Sequence, residues 1–169
     1  KGELVCNKAF PSMPIFFWND LNDKKYRKAY FNKFKNVWTH GDFILINKNK
    51  GVKIFGRSDT TLNPGGVRIG TSEIYQIVDL IDYVEDSLVI GQKYNDDERI
   101  ILFIIMRENT ILSDQNIKEI KDIIKINCSP RHVPSLVIQI NDIPYTINGK
   151  KVEIAVKKIL HGSEALNKD

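Results

Sequence analysis

Four charged side chains stand where this chain turns, and each is of a type that handles anionic or polyhydroxyl ligands. Asp42 follows a glycine in Trp38-Thr39-His40-Gly41-Asp42. An ionised carboxylate has two acceptor oxygens and no donor, which suits a vicinal diol, and Gly41 lets a ligand approach the backbone. On local sequence alone the same residue reads more readily as a plain turn aspartate. Arg57 and Arg68 bracket a Pro64-Gly65-Gly66 turn. A guanidinium is a planar five-donor fork that fits ribose and phosphate oxygens better than an ammonium does, although either arginine can also be a surface ion-pair partner. Lys150 follows Asn148-Gly149 at the tip of a polar turn, where a lysine on a glycine hinge can deliver a point charge into a cleft. Lys151, Lys157 and Lys158 beside it read as helix-face charge.

Other chemistries find little support. Pro64-Gly65-Gly66 is neither G-x-x-x-x-G-K-[ST] nor G-x-G-x-x-G after a strand, so it either brings backbone close to a ligand or simply makes a hairpin turn. Cys6 and Cys128 lack metal-ligand spacing, and His40, His132 and His161 form no i,i+4 pair. No metal-ligating residue is expected, and free thiols point to a reducing, cytoplasmic setting. The net charge is +4, with the excess lying in Lys24 to Lys53. A lysine-rich solvated face accounts for it, and the interleaved Tyr26, Tyr30, Phe31, Phe34 and Trp38 fall near helical spacing, which favours core contact over base stacking. Neither nucleic acid nor membrane is expected as a partner, since the longest apolar run, Ile100 to Met106, is far short of the eighteen or so residues of a span.

The elements that must position these residues follow from pattern. With 169 residues, 42% apolar and 27% charged, the chain can form one ordinary domain or two small ones. Gly2 to Phe10 reads as a strand ended by Pro11 and Pro14, and Asn22 to Lys35 as an amphipathic helix. Phe43 to Ile46 and Val52 to Phe55 flank an Asn/Gly turn and make a hairpin, with Asp42 at its entry and Arg57 at its exit. Thr71 is expected to cap a helix running to Leu80 or Ile81. Val84 to Ile90 and Ile100 to Met106 are strands about a Gln92 to Arg99 loop. Ser113 caps a helix that buries Ile117, Ile120 and Ile124, Leu136 to Ile140 is a third strand, and Val152 to Leu160 a final helix with Val152, Ala155, Val156 and Ile159 inward. The fold class is α+β, a small sheet with packed helices, preceded by a β-hairpin. Composition changes at Ser58 to Thr60, so the expected division is 1–58, 59–162 and a tail, 163–169.

Taken in order, WTHGD, GRSDTTLNPGGVRIGTSEIY and PYTINGKK resemble the C-terminal signatures of the adenylate-forming superfamily of acyl-CoA synthetases, luciferases and peptide-synthetase adenylation domains. Within it, AYFNKFKNVWTHGD, LNPGGVRIGTSEIY and PYTINGKKVE are most similar to the acetoacetate-activating ligases. The resemblance implies that the second part is the mobile C-terminal domain of such an enzyme and that the hairpin is the end of its large N-terminal domain. It implies ATP, Mg²⁺ and coenzyme A as the substrates and companion ion of an acid–thiol ligase. By the same resemblance, Asp42 holds the ribose hydroxyls, Arg57 contacts the nucleotide, Arg68 meets the phosphates and Asp59 is the hinge. Gly65 and Gly66 line the pantetheine channel, Lys125 or Arg131 lies near the coenzyme A phosphate, and Lys150 inserts during adenylation.

The superfamily's Gly- and Ser/Thr-rich phosphate loop and the segments that shape its acyl pocket are absent from this sequence. A chain beginning at Lys1 is therefore expected to be a fragment, inactive without the missing N-terminal domain. Two alternatives stay open: a non-catalytic binding module derived from the same domain, and a ligase for another short-chain acid.

Overall fold

The computed structural model describes residues 1–108 and 110–163, so nearly all of the expected tail lies outside the described residues. The chain divides into two units, Lys1–Ser58 and a second beginning at Asp59.

The first unit is a three-stranded antiparallel sheet, β1 (Gly2–Cys6), β2 (Trp38–Ile46) and β3 (Val52–Arg57), in the order β1-β2-β3. The expected hairpin is therefore the larger part of a sheet. It turns at Asn47, whose Oδ1 accepts from the Gly51 N–H at 2.7 Å. Between β1 and β2 the only α-helix is α1 (Lys24–Tyr30), much shorter than the Asn22 to Lys35 expected. Asn22, Asp23 and Asn36 all take positive φ, which no helix interior tolerates. The aromatics gather on Trp38 instead of extending one helical stripe. Tyr30 stacks on it at 3.7 Å between centroids, Phe10 and Phe31 meet it edge-on, and Phe34 is left exposed.

The second unit runs α2 (Thr71–Val78), β4 (Val84–Tyr94), β5 (Asp97–Met106), α3 (Asp114–Asn127), β6 (Leu136–Gln139) and α4 (Glu153–Leu160). Its sheet has the order β4-β5-β6; the first pair is antiparallel, and the second is parallel because α3 carries the chain across. Alternation along the strands sends side chains to both faces. Val89, Leu102 and Ile104 pack with Ile74, Val78, Ile120 and Ile124 of α2 and α3. Leu88 and Ile90 pack with Ile143, against which Phe103, Ile105, Val156 and Leu160 lie. Burial on both faces explains the unbroken apolar run from Ile100 to Met106.

Several boundaries differ from expectation. The residue before α2 is Gly70, not Thr71; Glu73 Oε1 accepts from the Gly70 N–H at 3.0 Å, while Thr71 is buried as the first helical residue. The helix stops at Val78 and leaves Leu80 exposed. Gln92 to Arg99 is not a loop: β4 and β5 pair through it to a tight turn at Asn95 and Asp96, both at positive φ. In α4, Ile159 points to solvent while Val156 and Leu160 face the sheet. Ser113 does cap α3, its Oγ accepting from the Asn116 N–H at 3.2 Å. No helix among the described residues is long and apolar enough to cross a membrane.

Candidate functional site

In the first unit the β2–β3 register sets Asp42 directly opposite Arg57, next to a bulge between Asp42 and Ile44. Residues opposite one another in an antiparallel pair share a face, so a carboxylate and a guanidinium stand together at one end of the hairpin. Gly41, at φ +87°, makes room for them: a Cβ there would come within 2.6 Å of Arg57 Nη2. Arg57 Nη1 donates to the His40 carbonyl at 3.1 Å, and Ser58 N–H donates to the Gly41 carbonyl at 2.8 Å. His40 Nε2 lies 3.5 Å from Asp42 Oδ2 and pairs with it when protonated. Ser58 Oγ donates to Glu3 Oε1 at 2.8 Å and Lys33 Nζ to Glu3 Oε2 at 2.6 Å, tying the hairpin exit to β1.

In the second unit, Leu62 and Ile69 pair backbone to backbone and close the Pro-Gly-Gly turn. Gly65 and Gly66 have φ +56° and +78°, conformations that side-chain-bearing residues avoid. The acidic start of β5 holds the turn. Both carboxylate oxygens of Asp97 accept from the Gly65 N–H, at 2.9 and 3.1 Å, and Glu98 Oε1 accepts from the Asn63 N–H at 2.7 Å. The Glu98 and Gly65 N–H groups keep the Asp97 carboxyl below the usual carboxylate range, with the charge of Arg131 acting in the same direction. Arg131 comes from the turn after α3, and a Cβ on Gly65 would run into its Nη1. Gly65 and Arg131 line one cavity of about 390 Å³ with Asp97, Arg99 and Ser135. Among the described residues, nothing beyond its two chain neighbours lies within 4 Å of where a Gly66 Cβ would stand. Lys125, exposed in the last turn of α3, does not line that cavity. Arg68 is exposed two residues beyond Gly66, and Asp59 is exposed at the first position of the unit.

Lys150 rides a tight turn closed by the Tyr145–Lys151 bridge. The Thr146 N–H donates to the Lys150 carbonyl and the Gly149 N–H to the Thr146 carbonyl, both at 2.8 Å, and Gly149 sits at φ +70°. Lys150 itself is exposed. Lys151 and Lys157 are not the solvated charges expected from the helical pattern. Lys151 Nζ lies 2.7 Å from Asp86 Oδ1, donates to the Ser87 carbonyl at 2.5 Å and sits 4.4 Å above the Tyr75 ring. Lys157 pairs with Glu98 at 3.0 Å. Asp86, Asp97 and Glu98 were missed in the sequence because their partners are distant in the chain and no local spacing marks them. Among the described residues no group of three His, Cys, Asp or Glu side chains is placed to hold a metal.

No family profile matches the chain. It is 52% identical over 169 residues to the acetoacetyl-coenzyme A synthetase of Rhizobium meliloti (strain 1021), a match covering all of this chain and 26% of that protein. Against the acetoacetyl-CoA synthetase of Gallus gallus it is 56% identical over 166 residues, covering 96% of this chain and 25% of that one. The solved acetoacetyl-CoA synthetase from Streptomyces lividans superposes with a TM-score of 0.92 at 42% identity over 99% of this chain and 25% of that structure. The chain is homologous to part of the acetoacetyl-CoA synthetases. It spans about a quarter of the length of the relatives in this family that it matches. The anthranilate CoA ligase AuaEII shares the fold at 22% identity, with a TM-score of 0.70 over 85% of this chain. The α+β architecture, two small sheets with packed helices, is thus that of the corresponding part of acyl-CoA synthetases.

Proposed function

We propose that the chain is the C-terminal part of an ATP-dependent acid–CoA ligase that converts acetoacetate, ATP and CoA to acetoacetyl-CoA, AMP and diphosphate through an acyl-adenylate. The observation that carries this is the match of the whole chain, at 52% identity, to a protein named for acetoacetyl-CoA synthesis.

The side chains suit the substrates. In the first half-reaction a carboxylate oxygen bonds to the α-phosphorus as the bond to diphosphate breaks. Such a step is accelerated by positioning and by charge stabilisation, with no protein nucleophile. Asp42 offers two acceptors to a ribose diol and Arg57, its cross-strand partner, offers donors to the same nucleotide. Arg68 and the exposed Lys150 supply the positive charge that meets the phosphates. Mg²⁺ is the companion of the nucleotide's phosphates; the described residues offer no acidic cluster for it, and none of the roles assigned here passes through it.

In the second half-reaction a thiolate sulfur bonds to the acyl carbonyl carbon and AMP leaves. That step needs a channel in which backbone can approach a pantetheine arm, and Gly66, with open space where its Cβ would be, suits it. Arg131, beside Gly65 in the cavity, and Lys125, on the solvent side of α3, supply charge for a nucleotide phosphate. Rotation of the second unit about Asp59 would present the Lys150 turn for one step and the glycine turn for the other.

In the intact ligase, Lys150→Ala is expected to abolish acetoacetate-dependent exchange of diphosphate into ATP yet leave thioester formation from supplied acetoacetyl-adenylate largely intact. Equal loss of both would overturn the role given to Lys150. The 169-residue chain alone is expected to show no turnover of acetoacetate, ATP and CoA. Thermal shifts of the intact enzyme with acetoacetate, acetate and butyrate adenylate analogues would rank the acids, and a larger shift with acetate or butyrate would replace acetoacetate as the substrate.

A further inference from the structure

One carboxylate clamps both limbs of the turn that displays Lys150. Tyr145 and Lys151 face each other across the base of the turn. The Tyr145 hydroxyl donates to Asp86 Oδ2, and the Lys151 ammonium lies 2.7 Å from Asp86 Oδ1. Each oxygen of Asp86 thus holds one limb. Asp86 is itself fixed, because the Ser87 N–H donates to its Oδ1 at 2.7 Å and it stands at an irregularity in the β4–β5 register. Lys151 has two further anchors, the Ser87 carbonyl at 2.5 Å and the face of Tyr75. Tyr75 is in turn held by the Val89 N–H at 3.0 Å and by its own bond to Glu153 at 2.6 Å. Residues of α2, β4 and α4 therefore converge on the neighbour of Lys150.

The consequence for Lys150 is geometric. Lys151, at the base of the turn, is held against Asp86, and Lys150, the residue before it, is exposed, so fixing Lys151 fixes the point from which the Lys150 side chain leaves the turn. The turn is closed by bonds within itself, including one from the Lys150 N–H to Thr146 Oγ1 at 3.1 Å, but its tip is exposed: Ile147 is fully exposed and Gly149 supplies the reversal at positive φ. We infer that Asp86, through Tyr145 and Lys151, is the positioning residue that aims Lys150 at the reacting phosphates. This rests on the adenylation role proposed for Lys150. A misplacement of about 1 Å in a reacting group costs on the order of 100-fold in rate, so loss of the clamp is expected to be kinetic before it is structural.

The test measures both half-reactions in the intact ligase for Asp86→Asn, Tyr145→Phe, Lys150→Ala and the Asp86→Asn/Lys150→Ala double variant. Asp86→Asn is expected to slow adenylate formation by roughly 10- to 100-fold, with the KM for ATP and acid little changed and thioester formation from supplied adenylate unaltered. Tyr145→Phe, which removes one of the two holds at an exposed site, is expected to lose less in the same step and decides the matter if Asp86→Asn fails to fold. The double variant should form thioester from supplied adenylate as fast as Lys150→Ala alone, because Asp86 acts only through Lys150. Wild-type adenylation in Asp86→Asn and Tyr145→Phe, with Lys150→Ala inactive, would overturn the clamp and leave the role of Lys150 standing. Equal slowing of both half-reactions by Asp86→Asn, or a loss of thioester formation in the double variant that Lys150→Ala lacks, would also overturn it. Full adenylation in Lys150→Ala would instead overturn the role of Lys150 and the clamp's purpose with it.

Discussion

Asp86 is also a point at which acid should loosen the second unit. Burial pushes its carboxyl upward, but the bonds from Lys151, Tyr145 and the Ser87 N–H, together with the charge of Lys151, outweigh it and hold the folded-state value below the usual carboxylate range. A folded pKa below the unfolded one means that the unfolded chain binds the proton first. The stabilisation is then fully present above the unfolded value near ~3.9 and is lost as pH falls through the folded one. Urea unfolding of wild type and Asp86→Asn is expected to show a stability gap at pH 7 that narrows by pH 3; a gap of the same size at both pH values would contradict this. The clamp persists at neutral and mildly alkaline pH, because burial and the adjacent Asp86 push the Tyr145 hydroxyl up to about 12 and it remains a donor. Lys151 shows why this site was only half legible from sequence. Beside Lys150 on the edge of a helical pattern it looked like surface charge, and nothing local reveals that a carboxylate from β4 awaits it.

At the scale of elements, legibility followed the range of the forces. Helix α3 was readable because its cap and its stripe are both local: Ser113 bonds Asn116, and Ile120 and Ile124 are fully buried. Ser113→Ala is accordingly expected to cost about 1 kcal/mol in urea unfolding. The Asp42–Arg57 pairing was readable for a similar reason, since one hairpin register delivers it. Helix α1 was misjudged because its aromatics answer to Trp38, a residue outside the helix. The β4–β5 arms were misjudged because polar contacts extend the ladder beyond the apolar core. Arg99 Nε donates to Gln92 Oε1 at 2.7 Å and its guanidinium lies 4.0 Å over the Tyr94 ring. These arms end in Asn95 and Asp96, at φ 48° and 59°, the backbone of a type I′ turn whose second position prefers glycine. Asp96→Gly is expected to raise stability by up to about 1 kcal/mol, read as a higher urea midpoint. A lower midpoint would mean that the aspartate side chain matters more to the turn than its backbone strain.

The whole molecule is two bodies of unequal self-sufficiency, and that inequality bears on the mechanism. Among the described residues, both clusters of buried apolar side chains belong to the second unit and cover both faces of its sheet. The first unit buries Trp38, Phe43, Ile44 and Phe55 but leaves Ile15, Trp18, Ile46, Val52 and Ile54 exposed. At under 60 residues it is of a size at which a core is marginal. Residues from Asp59 onward are therefore expected to unfold alone in one cooperative urea transition, whereas Lys1–Ser58 alone should give a broad, non-cooperative one. Ile124→Ala, at a site with no exposure, should lower the midpoint of the isolated second unit by an amount worth about 2–5 kcal/mol. The rotation proposed about Asp59 would exchange the Lys150 turn for the glycine turn only if both are carried by one stiff body. Both turns are tied to the same sheet, the first through Asp86 of β4 and the second through Asp97 and Glu98 of β5. Should the isolated second unit melt in two steps, with the Lys150 turn loosening before the glycine turn in hydrogen exchange, the two would not move as one, and a rigid rotation could not serve both half-reactions.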